Sequence, residues 1–126
     1  TLLDLAELDQ PDYLQGASLL PILMGESKST HHRDFVRSEY CDALDPHFTG
    51  GEGTFATMFR DARYKLCVYH GKDIGELYDL ENDPWEHNNL WNVQAETKTK
   101  NHLLARSFDA HVLLTTDMGS RRIAPM

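Results

Sequence analysis

Four short segments with the composition of β-strands constrain the fold of this chain more than any other feature. They occupy residues 35–41, 54–60, 65–70 and 76–80, and the first of them carries β-branched and aromatic residues in rough alternation. Tight turns at "DARY" and "GKDIG" join the last three segments, which is typical of antiparallel hairpins. The pattern predicts a small antiparallel sheet of about four strands within residues 35–80.

A helical segment follows the predicted sheet. Between residues 95 and 114 the apolar side chains cover a broad arc of the helix, and most lysines and arginines lie outside it. One such helix can cover one face of an antiparallel sheet. We therefore predict an α+β fold in which residues 1–126 form a single domain. A helix end and a loop at 1–34 lead into the sheet, and 115–126 form a tail.

The first segment, "TLLDLAEL", has leucines on nearly every side of a helical wheel, which is typical of a buried helix. It is also shorter than the ~12–15 residues at which an isolated helix becomes marginally stable. We therefore interpret it as a helix end. Together with the second face of the sheet, it predicts an apolar surface that stays uncovered unless something packs on it.

Charge and composition exclude several classes of partner. The net charge is −8, from 12 basic and 20 acidic residues, and this balance argues against binding to nucleic acid. No stretch approaches the ~18 consecutive apolar residues that a membrane span needs. No signal peptide is visible, so we expect a cytoplasmic location, although the chain begins at Thr1 and not at a methionine.

The two cysteines, Cys41 and Cys67, fall in segments that we interpret as neighbouring, buried strands. They are close enough to pair on that interpretation, but two cysteines do not make a disulfide framework. The composition favours free, buried thiols in a reducing compartment, and the pairing stays open.

The segment "GELYDLENDPWEHNNLWN", residues 75–92, suggests a metal site at first. Its carboxylates and histidine are Asp79, Glu81, Asp83, Glu86 and His87. Their spacing does not match a calcium-binding EF-hand loop, whereas "NDP" is a strong turn signal. The asparagines that follow are candidate helix caps, namely Asn88, Asn89 and Asn92. We predict a strand end, a turn and the approach to a helix, with no metal ligand.

No catalytic constellation can be assembled from the residues alone. The chain has no G-x-S-x-G nucleophile elbow, and the glycines of "TGGEGTF" match neither a dinucleotide fingerprint nor a phosphate loop. The predicted strand setting of both cysteines favours inert thiols. We therefore predict no catalytic residue in this chain.

Four stretches, in order, resemble one known family. "GELYDLENDPWEHNNL" is similar to the signature near the C-terminus of sulfatases, enzymes of the alkaline phosphatase superfamily. "TLLDLAEL" resembles the helix end before the C-terminal subdomain of that family, and "LQGASLLPILMG" and "FRDARYKLCVYH" resemble two of its later stretches. The resemblance covers nearly the whole chain and agrees with the α+β fold.

The resemblance implies the C-terminal subdomain of a hydrolase that acts on sulfate or phosphonate esters. Sulfatases use a formylglycine, made from the cysteine of Cys-x-Pro-x-Arg, and a calcium-like divalent cation. Neither Cys41 nor Cys67 lies in that motif, and the metal ligands of the family lie upstream of the matching region. No catalytic residue, metal ligand or cofactor is therefore carried over, and we expect the chain alone to be inactive.

By the same analogy, the subdomain contributes loops to the rim of the substrate pocket. The candidate rim residues are Tyr40, His47 and His70. The implied partner is a sulfatase N-terminal catalytic domain, or further copies of this chain in a homo-oligomer. The alternative is a free-standing binding or oligomerisation module derived from the subdomain.

Overall fold

The computed structural model describes residues 1–11, 14–25, 32–41 and 53–116. The chain divides into two compact units. The first, which we call the sheet unit, is Arg33–Ser107, and the second, the terminal unit, combines Thr1–His32 with Phe108–Met126. The boundaries that we gave for a single domain stay a prediction.

In the part of the sheet unit that the structure describes, four antiparallel strands form one sheet, as predicted. They are β1 (Val36–Cys41), β2 (Phe55–Arg60), β3 (Tyr64–Tyr69) and β4 (Ile74–Asp79). The strands lie side by side in chain order, so each pairs with the next one along the chain. Together with the helix that follows, this confirms the α+β fold.

The turn between β2 and β3 is built around Asp61. Its Oδ1 accepts the N–H groups of Arg63 (3.0 Å) and Tyr64 (2.8 Å), a local pattern that favours a tight reversal. Burial alone would raise the pKa of Asp61, but these two N–H donors and Arg106 outweigh it and hold the pKa below its ordinary value. The side chain of Arg106 comes from the last helix, so the turn is also tied to that helix.

The core lies on one face of the sheet. Phe59, Leu66 and Leu77 are cross-strand partners in successive strands, so their side chains share a face, and all three are buried. The last helix, α3 (Thr97–Thr116), follows a short 3₁₀ turn at Gln94–Glu96. It joins this core through the buried Leu103 and through Arg106, whose guanidinium lies 5.1 Å over the ring of Phe59.

The cysteines correct one expectation from the sequence. Cys41 lies on β1 and Cys67 on β3, with β2 between them, so their strands are not neighbours. Cys41 is exposed instead of buried, and Cys67 is half-buried. Both thiols are free, which is the state that we favoured.

The described residues of the terminal unit include two one-turn helices, α1 (Leu2–Leu5) and α2 (Leu20–Leu23). Thr1 Oγ1 accepts the N–H of Leu19 at 2.7 Å and so ties the start of α1 to the residue before α2. Three leucines of the first segment, Leu2, Leu5 and Leu8, are exposed, contrary to the burial that their pattern predicts, and Leu2 is 82% exposed. Leu3 is half-buried. Of the described helices, none combines the length and the apolar character that crossing a membrane requires.

Candidate functional site

Two of the three predicted rim residues lie at the same end of the sheet. Tyr40 is the penultimate residue of β1, and His70 directly follows β3. Phe55, the first residue of β2, lies beside the ends of both strands. It pairs with Cys41 of β1, and its carbonyl accepts the N–H of His70 at 2.8 Å. His47 lies outside the described residues. The rim role of all three stays a prediction.

Tyr40 and His70 nevertheless point to opposite faces of the sheet. His70 Nε2 lies 2.9 Å from Thr57 Oγ1, on the face that carries the core. Tyr40 pairs with Ala56, the neighbour of Thr57 on β2, so its side chain lies on the other face. The two side chains therefore border the end of the sheet from both sides and do not form one pocket.

Asp79, the first carboxylate of the acidic segment, is the last residue of β4 and accepts several hydrogen bonds there. Asp79 accepts two hydrogen bonds from Arg63, from Nε at 3.1 Å and from Nη2 at 2.7 Å. Asn82 Nδ2 adds a third at 2.9 Å. These bonds, above all those from Arg63, lower the pKa of Asp79 to about 2. Asp79 thus anchors the turn after β4.

The next carboxylates are also held by the protein itself. Asp83 accepts the N–H groups of Asn88 (2.7 Å) and His87 (3.1 Å), and these bonds lower its pKa. Glu86 has a left-handed backbone (φ 59°) and accepts a hydrogen bond from the ammonium group of Lys65, which raises the pKa of Lys65. The segment therefore folds as a turn that is fastened back onto the strands.

The described residues do not assemble a site for the cation that the resemblance implies, and the motif from which the formylglycine is made does not occur in the sequence. Among the described residues, no group of three or more histidine, cysteine, aspartate or glutamate side chains is placed to hold a metal ion. Neither cysteine lies in a Cys-x-Pro-x-Arg motif. We therefore derive no chemical step from either group in this chain.

Asn89 protects the open edge of β4. Its Oδ1 accepts the N–H groups of Leu77 (3.1 Å) and Trp91 (2.9 Å), and its Nδ2 donates to the Gly75 carbonyl at 3.0 Å. Leu90 N–H then donates to the Leu77 carbonyl at 2.8 Å. An edge strand with unpaired backbone groups can pair with a strand of another molecule. The segment at Asn89 and Leu90 satisfies these groups in the place where a fifth strand would pair.

The predicted helix-capping role of the asparagines is wrong. The 3₁₀ turn that leads into α3 has Val93 at its N-cap position and no side-chain cap. Asn89 satisfies strand groups instead, and the backbone N–H of Asn88 donates to Asp83. The strand end and the turn that we predicted for the same segment do occur, since β4 ends at Asp79 and turns follow it.

Trp91 is the second residue whose role the sequence did not reveal. Its ring covers Gly75 on β4 so closely that no side chain would fit there. Lys100, from α3, places its ammonium group 4.6 Å from the ring centroid and donates to the Trp91 carbonyl at 2.7 Å. A glycine inside a strand often indicates that another group packs closely on it. The sequence alone does not identify that group as Trp91.

An open depression of about 360 Å³ lies beside β4, and we call it the β4 depression. Its principal lining residues are Tyr69, Gly75, Glu76, Asn89, Trp91 and Asn92. The Tyr69 hydroxyl donates to Glu76 Oε1 at 2.9 Å, and this bond raises the pKa of Tyr69. Tyr69 and Ile74 flank the turn between β3 and β4, so the depression lies at the same end of the sheet as His70.

The fold and the sequence both match one family. Residues 1–111 match the sequence model of the family described as N-sulphoglucosamine sulphohydrolase, C-terminal. The chain belongs to this family. The resemblance to the C-terminal subdomain of sulfatases is therefore confirmed.

Two curated relatives illustrate how much of a family member the chain represents. A Delta 4,5-hexuronate-2-O-sulfatase of Bacteroides thetaiotaomicron is 38% identical over 90 residues, which cover 71% of this chain and 18% of the relative. An uncharacterized protein of Haemophilus influenzae is 34% identical over 104 residues, covering 82% of this chain and 48% of that protein. The chain thus spans about half of one relative and less than a fifth of the other.

Solved structures share the fold. A structure described as a 2-O GAG sulfatase superimposes with a TM-score of 0.74 at 32% identity, covering 93% of this chain and 24% of its own. A phosphonate monoester hydrolase from Silicibacter pomeroyi gives a TM-score of 0.71 at 24% identity, with 94% and 24% covered. The second likeness concerns the fold alone.

Proposed function

We propose that this chain serves as the C-terminal subdomain of a sulfatase-type hydrolase of sulfate esters and that it does not hydrolyse them by itself. The observation that carries the proposal is the family match over residues 1–111, combined with coverage of only 18% of a named sulfatase. The named relative acts on a 2-O-sulfated hexuronate, which supports a sulfated saccharide as the substrate class.

The chemistry of the described residues agrees with a supporting role. Ester hydrolysis needs an activated nucleophile and groups that stabilise the developing charge. Burial and the nearby Glu76 raise the pKa of the Cys67 thiol, which is opposite to what a thiolate nucleophile needs. The carboxylates of Asp79 and Asp83 are engaged in the turn after β4. We assign the nucleophile and the divalent cation to a catalytic domain.

The exposed apolar residues support docking of such a domain. Tyr40, Phe55 and Ile74 lie at the same end of the sheet, and they are 52%, 51% and 54% exposed. Large apolar side chains that remain exposed at one end of a sheet are expected where another element packs. The expected occupant is an N-terminal catalytic domain, whether it belongs to the same polypeptide or to another one.

The same end of the sheet is where we place the substrate rim. Tyr40 offers a phenol and His70 an imidazole, and both groups can donate and accept hydrogen bonds. His47, from the connection after β1, is proposed for the same role from the sequence. In this proposal the three residues orient parts of the substrate away from the reacting bond.

The experiment that tests the proposal is an assay of the purified chain. The substrates are 4-nitrophenyl sulfate and a Δ4,5-hexuronate 2-O-sulfate, each with and without calcium, and the Bacteroides relative is the positive control on the second. We expect no turnover by this chain above the protein-free blank. Metal-dependent turnover that survives repeated purification would contradict the proposed division of roles.

A second candidate function is self-association. The observation that favours it is the exposed apolar surface of the terminal unit, where Leu23 is 70% exposed in addition to Leu2. Light scattering behind a sizing column distinguishes the two functions for the isolated chain. A discrete oligomer favours an oligomerisation module, whereas a monomer that binds a catalytic domain favours the sulfatase subdomain. A cytoplasmic location stays a prediction.

A further inference from the structure

We propose that the β4 depression binds one uncharged sugar ring through its hydroxyl groups. The proposal goes beyond the proposed function, because the site is complete within the sheet unit and needs no catalytic domain. It rests on three properties of the depression, which are its rigidity, its unused polar groups and its charge.

Contacts within the protein already hold the side chains that line the depression in place before any ligand binds. The Trp91 ring lies against Gly75 and has the Lys100 ammonium group 4.6 Å from its centroid, and Asn89 is held by three hydrogen bonds to the backbone. Tyr69 and Glu76 hold each other at 2.9 Å. A site that is already ordered loses little conformational entropy on binding, and its volume of about 360 Å³ accommodates a small ring.

Several polar groups of this wall remain unused among the described residues. The indole N–H of Trp91 and the side-chain amide of Asn92 have no hydrogen-bond partner there, and Tyr69 occupies only one oxygen of Glu76. The site therefore presents two kinds of donor beside an anionic acceptor. A sugar hydroxyl both donates and accepts hydrogen bonds, so neighbouring hydroxyls can satisfy this mixed set.

The charge of the depression selects against anionic sugars. Glu76 contributes a carboxylate to the lining, and both lysines of this region are committed elsewhere. Lys100 is engaged with the carbonyl and the ring of Trp91, and Lys65, which interacts with Glu76, donates its hydrogen bond to Glu86. A sulfated or carboxylated ring would place like charges close together in a partly desolvated site, which is unfavourable. The expected ligand is therefore a neutral ring of a saccharide.

The test is a ¹⁵N NMR titration of the full chain with methyl β-D-glucopyranoside, and with glucose 6-sulfate as the anionic comparison. We expect shifts confined to residues 74–76 and 89–92 and to the Trp91 indole N–H, with much weaker binding of the sulfate. Asn92→Ala removes a side chain that bonds no described residue, so the fold is retained. It should weaken binding about fivefold to tenfold. Asn101→Ala, an exposed amide on α3, is the matched control and should change nothing.

A second variant distinguishes the loss of a hydrogen-bond donor from the loss of the fold. Trp91→Phe keeps a ring over Gly75 but removes the indole N–H, and its amide spectrum reports directly whether the fold survives. The proposal is overturned if the neutral sugar causes no shifts in this region or if Asn92→Ala binds as well as Asn101→Ala. Tighter binding of glucose 6-sulfate would also overturn it. None of these results bears on hydrolysis, so the proposed function is tested separately.

Discussion

The ring of Trp91 lies against Gly75 at a distance that excludes any side chain, since a Cβ added there would be 2.5–2.6 Å from three ring carbons. This contact joins the segment after the acidic turn to β4. Lys100 extends the contact to α3, because its ammonium group lies near the same ring and donates to the Trp91 carbonyl. Sheet edge, connecting segment and helix are thereby linked through one aromatic side chain.

Substitution of this glycine is therefore expected to destabilise the sheet unit. Gly75→Ala must displace the Trp91 ring, and overpacking of this kind costs about 1–3 kcal/mol. Urea denaturation followed by circular dichroism measures the free energy of unfolding. The matched control is Gly16→Ala, since a Cβ at Gly16 meets no atom within 4 Å. Equal stability of the two variants would contradict the close contact.

Loss of the Asn89 side chain should expose the edge of β4. Asn89→Ala leaves the Leu77 N–H and the Gly75 carbonyl without their partners, and unfolding should become easier by about 1–3 kcal/mol. Asn92→Ala is the control, because the side chain of Asn92 bonds no described residue and its removal should leave the unfolding midpoint unchanged. Hydrogen exchange at Leu77 reports the edge directly. Unchanged exchange in Asn89→Ala would count against the protective role.

The ion pair between Arg63 and Asp79 at the end of β4 predicts that the free energy of unfolding depends on pH in the acid range. Arg63 lowers the pKa of Asp79 from the ordinary 3.8 to about 2, so Asp79 stabilises the fold above its ordinary pKa. That contribution is lost as the pH falls towards about 2. Asp79→Asn should therefore be less stable than the unmodified protein at neutral pH, and the difference should shrink below about pH 4. Asp73→Asn, in the exposed turn after β3, is the matched control, and its stability at neutral pH should equal that of the unmodified protein.

The two thiols are expected to differ in reactivity. Cys41 is exposed, whereas Cys67 is half-buried and its pKa is raised by burial and by Glu76. Titration with a thiol reagent at neutral pH should show one fast and one slow reaction, and both should be fast in urea. Cys41→Ser should retain only the slow reaction. Fewer than two reactive thiols in urea without reductant would reveal a disulfide and contradict the strand order.

The sequence predicts the sheet well because its signals are local. Alternating side chains and turn residues mark each strand, and the strands follow one another in space as they do in the chain. The same order separates Cys41 from Cys67 by a whole strand, a consequence that we missed when we treated their segments as neighbours. Strand boundaries moved by one or two residues, which placed His70 just beyond β3.

The candidate site is less predictable because its contacts are tertiary. A capping rule relates an asparagine to the helix that follows it, but Asn89 turns back to a strand that precedes it in the chain. The pairing of Trp91 with Gly75 likewise depends on the path of the segment after the turn. The sequence therefore predicted a turn at this place and missed the closed edge and the β4 depression.

The measurement that tests the central claim most directly is the activity of a chimera. The residues of the Bacteroides Delta 4,5-hexuronate-2-O-sulfatase that align with this chain, 90 in number, are replaced by the corresponding residues of this chain. We predict a folded enzyme that hydrolyses the sulfate ester of the parent with kcat/KM reduced by no more than about tenfold. Tyr40→Ala and His70→Ala in the chimera should then raise KM more than they lower kcat. A chimera that folds and binds its cation but shows no hydrolysis would contradict the assignment of this chain as a sulfatase subdomain.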